Sequence, residues 1–108
     1  MNDWLVKQMR KKGQVPDIFT PDGFNAGVML VHALKVGNYD VDKMITSLEG
    51  FKFLGPKGYN AVRPQDHALL QPMFRVQLVK GANGKPQAKV LGTANSYQTA
   101  PPLVAMKG

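Results

Sequence analysis

Cysteine is absent from this 108-residue chain. That excludes disulfides, thiolate metal sites, thiol nucleophiles and redox switching, and it carries no information about compartment. Acid is scarce: 7 Asp and Glu face 14 Lys and Arg, for a formal net charge of +7. Histidine is confined to His32 and His67, far apart and without a spaced carboxylate set around them, so no metal site is expected. Long apolar runs are missing too. The strongest, Ala26 to Val36, is interrupted by His32 and Lys35 and falls well short of the roughly 20 residues a membrane helix needs. The length fits one modest domain, and a chain of this size hides only about two-thirds of its unfolded surface.

The basic excess raises nucleic acid as a partner, because clustered cations gain affinity by displacing counterions from phosphates. Clustering decides the point. Arg10, Lys11 and Lys12 form the one basic run, while Lys35, Lys43, Lys52, Lys57, Arg63, Arg75, Lys80, Lys85, Lys89 and Lys107 stand singly. The run also falls in the last turn of a predicted helix, where cations complement the terminal carbonyls. A solvated surface is the expected reading, with no nucleic-acid partner. The alternative is a small basic nucleic-acid-binding module using Arg10, Lys11, Lys12 and Lys57, or a self-associating interaction module. The opening MNDWLVKQMRKKGQ places its charges after its apolar residues and has no long apolar core, unlike a secretory signal. The expectation is that the protein is intracellular or that its start has been removed.

Asn2 or Asp3 can cap a helix over Trp4 to Lys12, with Gly13 as its stop. Thr20 is the expected cap of a second helix, with Pro21 in its first turn. Nine of the thirteen residues from Phe24 to Val36 are Phe, Ala, Val, Met or Leu, spread around the whole circumference. Such a helix needs cover on several sides. Asp40 can cap a third helix in which Val41, Met44, Ile45 and Leu48 share one face, closed by Gly50. Beyond it the pattern becomes β: Tyr59 to Arg63 reads as a strand ended by Pro64, Phe74 to Lys80 alternates, Gly81 to Gly84 turns, and Lys89 to Gly92 returns. Thr93 to Gly108 reads as an extended tail. The chain alone is therefore expected to be a partial α+β piece, about three helices and then about three short strands.

Candidate chemistry is sparse, and no catalytic residue is expected. Gly81-Ala82-Asn83-Gly84-Lys85 lacks the Ser or Thr and the helix that a phosphate loop requires, so it reads as a hairpin turn. Gly55-Pro56-Lys57-Gly58 has the GxxG spacing of a backbone-clamping loop, but a strand follows it and Lys52, Phe53, Gly55 and Gly58 read as loop architecture. His32 reads as a satisfied imidazole among apolar neighbours. His67 follows Asp66 directly, and neighbours on an extended chain point to opposite faces, which is poor geometry for acid/base work. A turn-stabilising hydrogen bond is the expected role of this pair.

Four segments in order carry a resemblance. PDIFTPDGFNAGVMLVHAL (16–34), LEGFKFLGPKG (48–58), RPQDHALLQPMFRVQLVK (63–80) and the Thr99-Ala100-Pro101-Pro102 tail together resemble periplasmic branched-chain amino acid binding proteins, the solute-binding components of ABC importers. The resemblance implies an α/β parent of the type I periplasmic binding protein family, with two Rossmann-like lobes, of which this chain would be the C-terminal third. It implies residues 1–68 in the first lobe, 69–73 as the last hinge crossing, and 74–108 as the final strand or hairpin of the second lobe plus tail. The orphan apolar helix would pack against sheet strands that lie outside this chain.

The implied activity is transport, not catalysis: an amino acid or related small carboxylate is captured between the lobes by hinge closure and presented to a membrane permease. Periplasmic localisation and a requirement for no cofactor follow from the same resemblance. It places an aromatic ligand contact at Phe19, with Thr20 and Asp22 bordering the cleft. Phe24 stands where the family more often has Tyr. The isolated piece is expected to bind no amino acid and to self-associate through uncovered helix faces and strand edges, exchanging elements between copies.

Overall fold

A computed structural model describes residues 1–105 of the chain. The last part of the predicted tail, 106–108, lies outside the described residues. Three helices are followed by five strands: α1 (Asn2–Lys11), α2 (Thr20–Gly37), α3 (Val41–Leu48), β1 (Lys52–Gly55), β2 (Gly58–Val62), β3 (Leu69–Leu70), β4 (Met73–Lys80) and β5 (Pro86–Ala94). The strands form two separate antiparallel sheets, β1-β2-β3 and β4-β5.

Helix starts follow backbone hydrogen-bond needs, although two of the three expected caps are not the ones used. Asp40 behaves as expected, its carboxylate accepting from the Lys43 N–H at 3.0 Å. At α1 neither Asn2 nor Asp3 caps, because the helix already begins at Asn2 behind Met1; Asp3 instead places negative charge in the positive first turn. At α2 the expected cap Thr20 is the first helical residue. The work falls to Asp17, whose Oδ1 accepts from the N–H groups of Phe19 and Thr20 at 2.9 and 3.1 Å. Thr20 reciprocates, its Oγ1 accepting from the Asp17 N–H at 3.0 Å. The pair acts as a reciprocal box one turn upstream of the expected position.

Helices α2 and α3 form a tight pair. Asn38 adopts a left-handed conformation (φ 49°) that ends α2. The chain turns back so closely that a β-carbon on Gly37 would lie 2.7 Å from the Met44 backbone nitrogen. His32 bridges the pair, as its Nε2–H donates to the Ser47 carbonyl at 3.1 Å. Its ring stacks on Phe51 at 3.7 Å between centroids, and Phe51 stacks on Phe53 at 5.1 Å. His32 is thus a satisfied imidazole, as its setting in the sequence implied.

Lys52 to Gly55, expected as loop, is strand β1. It pairs with β2 from Lys52↔Ala61 to Gly55↔Gly58, leaving Pro56-Lys57 as a two-residue turn. The GxxG is therefore the tip of a hairpin and no clamp between helices. β3 adds Leu70 and Leu69 opposite Ala61 and Val62. In the second sheet, β5 is longer than expected, and a bulge at Leu91 keeps Val90 opposite Val76 after Gly92 has paired with Arg75. The tail is not simply extended: Asn95 Oδ1 accepts from the Tyr97 and Gln98 N–H groups, closing a turn over Ser96–Thr99. Thr99 Oγ1–H then donates to the Gln71 carbonyl at 2.7 Å, fastening the tail to the link between the two sheets.

The core is small. Among the described residues the buried apolar side chains are Ala33, Phe53, Ala61, Val62 and Leu70. The accessible surface is 8087 Å², against about 5,900 Å² for a compact monomer of this mass. The radius of gyration is 16.7 Å, against about 13 Å for a compact chain of this length. Two apolar faces stand open to solvent. On α2, Leu30, Val31 and Val36 are half or more exposed. In the β4-β5 hairpin, Phe74, Val76 and Leu78 share one face with Val90 and Ala88 and lie open to solvent.

Candidate functional site

The end of the molecule holding the α2 start and the β1-β2 turn gathers the residues expected at a ligand cleft. The Asp17–Thr20 box presents Phe19 outward, where 74% of it is exposed. Asp22, one turn into α2, reaches the turn of the neighbouring hairpin: its Oδ1 lies 3.7 Å from Lys57 Nζ. With Asp22 half-exposed, the pair is weak in itself, but it ties the GxxG turn to the helix start. Thr20 spends its hydroxyl on Asp17. Phe19, Thr20 and Asp22 thus share one rim without enclosing a pocket in this chain.

Behind the rim lies a feature that sequence reasoning missed. Asn25 and Asn60 are wholly buried, and they converge on Gly55 so closely that a β-carbon there would collide with the Asn25 carboxamide oxygen and sit 2.6 Å from Asn60 Nδ2. Asn60 Nδ2–H donates to the Gly58 carbonyl at 3.1 Å. Both polar atoms of Asn25 lack partners. Glycine at position 55 is required by this close approach of the amides. The signal in the sequence was an Asn between Phe24 and Ala26, at the start of the apolar part of α2.

The second polar cluster lies at the end of β2. Arg63 grips Asp66 in a bidentate pair, Nε to Oδ1 at 2.8 Å and an Nη to Oδ2 at 2.6 Å. The remaining Nη donates to the Pro101 carbonyl at 2.9 Å. Asp66 also accepts from the Ala68 N–H at 3.2 Å and the Val104 N–H at 3.4 Å. Hydrogen bonding to Arg63 is the main cause holding the Asp66 carboxyl far below the usual carboxylate range, and the same bond raises Arg63. His67 takes a left-handed conformation (φ 58°), so the segment is a tight turn and not the extended chain assumed from the sequence. The two side chains still part company, since His67 donates to Glu49 at 2.9 Å. Asp66 therefore stabilises the turn as expected.

Among the described residues no group of three His, Asp or Glu side chains could hold a metal, and no helix is long and apolar enough to cross a membrane. A shallow apolar groove runs along α2, where Gly23 and Gly27 leave open space beside Phe24, Val28 and Val31.

No protein-family model matches the chain, nor does any curated protein. Solved structures do. An ABC-type branched-chain amino acid transporter from Rhodopseudomonas palustris superimposes over 97% of this chain with a TM-score of 0.84 and 28% identity. The chain carries a portion of the type I periplasmic binding fold. A leucine-, isoleucine-, valine-, threonine- and alanine-binding protein from Brucella ovis, in its closed conformation, shares this fold over 94% of the chain (TM-score 0.77, 17% identity). So does a solute-binding protein of an ABC transporter from another Rhodopseudomonas palustris strain, in complex with 3,4-dihydroxybenzoic acid, over 87% (TM-score 0.73, 20% identity). The chain spans 29%, 28% and 26% of those three proteins. Its structural neighbours in the periplasmic binding fold are transporter solute-binding proteins, not enzymes.

Proposed function

We propose that this chain is the C-terminal portion of the solute-binding component of an ABC importer, which captures a branched-chain amino acid or a related small carboxylate between two lobes. The observation that carries this reading is the superposition of nearly the whole chain on a branched-chain amino acid transporter. The benzoate complex among the neighbours widens the ligand class to aromatic carboxylates. In this reading residues 1–68 belong to the first lobe, 69–73 form a hinge crossing and 74–108 belong to the second lobe. The link between the two sheets at Gln71-Pro72 suits such a crossing, since few elements span it.

Phe19 is the ligand-covering aromatic in this assignment, and Thr20 and Asp22 border the cleft. The exposure of Phe19 and Asp22 on an open rim supports a surface completed by the opposing lobe. The protein works in the periplasm and hands its ligand to a membrane permease, with no chemistry and no cofactor. The same reading accounts for the exposed α2 groove and hairpin face, which the remainder of the two-lobed protein covers. Expressed alone, the 108 residues self-associate through those faces.

Calorimetric titration tests the assignment. The periplasmic product containing this chain is expected to give saturable heat with leucine, isoleucine, valine or a hydroxybenzoate, and the isolated chain none. Saturable binding by the isolated chain would overturn the division of the site between lobes.

A further inference from the structure

The tip of the β4-β5 hairpin carries chemistry that ligand transport does not use. Of the six asparagines, Asn83 alone precedes glycine. Asn83 and Gly84 are exposed in the turn from Gly81 to Lys85. Gly84 has no side chain to shield its backbone nitrogen, and its φ of +76° is one that glycine adopts freely. Asn83 Oδ1 accepts a hydrogen bond from the Lys85 N–H at 3.0 Å. That donor polarises the carboxamide carbon and is placed to stabilise negative charge arising on its oxygen. The Lys80 side chain reaches the same turn, its Cε lying 3.9 Å from where a β-carbon on Gly84 would stand.

We propose that Asn83 is a site of spontaneous deamidation and isomerisation, with water as the only co-reactant. The Gly84 amide gives its proton to hydroxide, and the nitrogen attacks Asn83 Cγ to form a C–N bond. The tetrahedral intermediate expels Nδ2, which leaves as ammonia after taking a proton from water. The resulting five-membered succinimide is opened by water at either carbonyl. One opening gives aspartate; the other gives isoaspartate, with an extra carbon in the main chain. The Gly84 N–H donates to the Gly81 carbonyl at 2.9 Å, so the turn must open first, and hairpin tips open readily.

The other asparagines are protected in ways the structure makes specific. Asn25 and Asn60 are buried. Asn95 precedes Ser96, which carries a side chain and is buried. Asn2 and Asn38 precede residues with side chains. The consequence falls on register: the turn holds Lys80 opposite Pro86, and one added backbone carbon there mismatches the ladder that follows.

Peptide mapping by mass spectrometry, with isoaspartate methylation as a second readout, tests this on the full 108-residue chain held at neutral and mildly alkaline pH. Aspartate and isoaspartate are expected at position 83 before any of the other five asparagines changes, at a rate proportional to hydroxide. Lys80→Met is expected to slow the conversion about fivefold, the effect of removing a unit charge a few ångströms away in water, and Lys80→Arg to preserve it. An intact Asn83 while Asn38 or Asn95 converts would overturn the assignment. An unchanged rate in Lys80→Met, with conversion still at Asn83, would overturn the role of Lys80.

Discussion

Arg63 and Asp66 close a two-pronged ion pair at 2.8 and 2.6 Å, and through it Arg63 holds the Pro101 carbonyl 38 positions away in sequence. One short turn thereby fixes the end of β2, the approach to β3 and the tail in one place. Because the carboxylate also receives the Ala68 and Val104 N–H groups, its charge is used fully in the folded state.

The sign of the pH dependence follows. Folding depresses the Asp66 pKa, so its contribution is fully present above the ordinary carboxylate range near ~4 and is lost as pH falls toward its depressed folded value. Asp66→Asn is expected to lower the thermal midpoint at neutral pH and to flatten the acid side of the stability profile. Parallel acid limbs in thermal melts of the two proteins would contradict this.

Gly55 and Asn25 define a second test. Gly55→Ala forces a β-carbon into two buried amides, and such overpacking costs about 1–3 kcal/mol. Truncating Asn25 to Ala opens that space and removes unpartnered polar atoms. The double variant is therefore expected to be more stable than the sum of the single changes implies, as read by a double-mutant cycle in urea. Strict additivity would contradict the contact.

Gly37 gives a harder version of the same argument, because its neighbour is the Met44 main chain, which cannot swing aside. Gly37→Ala is expected to cost at least about 2 kcal/mol, the middle of the overpacking range or more, by forcing α2 and α3 apart. Asp40→Ala, which removes only the α3 cap, is expected to cost about 1 kcal/mol. Urea midpoints that reversed this order would contradict the packing account.

At the proposed ligand rim, Phe19→Ala in the proposed two-lobed protein is expected to weaken ligand binding about tenfold or more, the loss of at least ~1.4 kcal/mol that accompanies truncation of a central aromatic contact. Asp22→Asn is expected to change affinity less, since its structural partner Lys57 lies on the same lobe segment. Calorimetry that found full affinity in Phe19→Ala would remove it from the site.

Local signals were legible in the sequence, and distant ones were not. Asp40 and Gly50 bracket α3 as read, because capping and the positive φ of +78° at Gly50 depend on the residue itself. The strand β1 was missed because Lys52–Gly55 is only four residues, and what makes it a strand is pairing with Ala61 and Asn60. Asp17 and Thr20 both carry capping oxygens, and only the geometry of the turn before α2 separates them. The Asn95 to Gln98 turn carries a readable signal, an asparagine with a glutamine three residues on, that was lost inside an apparently extended tail. The Arg63 link to Pro101 and the meeting of Asn25, Gly55 and Asn60 are tertiary, and no spacing in the sequence encodes them.

The central claim is that these residues form part of a longer two-lobed periplasmic protein, and the endogenous product tests it most directly. An antibody raised to this chain, used on fractionated source cells, is expected to detect a periplasmic species several times heavier than 11.8 kDa. A cytoplasmic species of 11.8 kDa would contradict the claim.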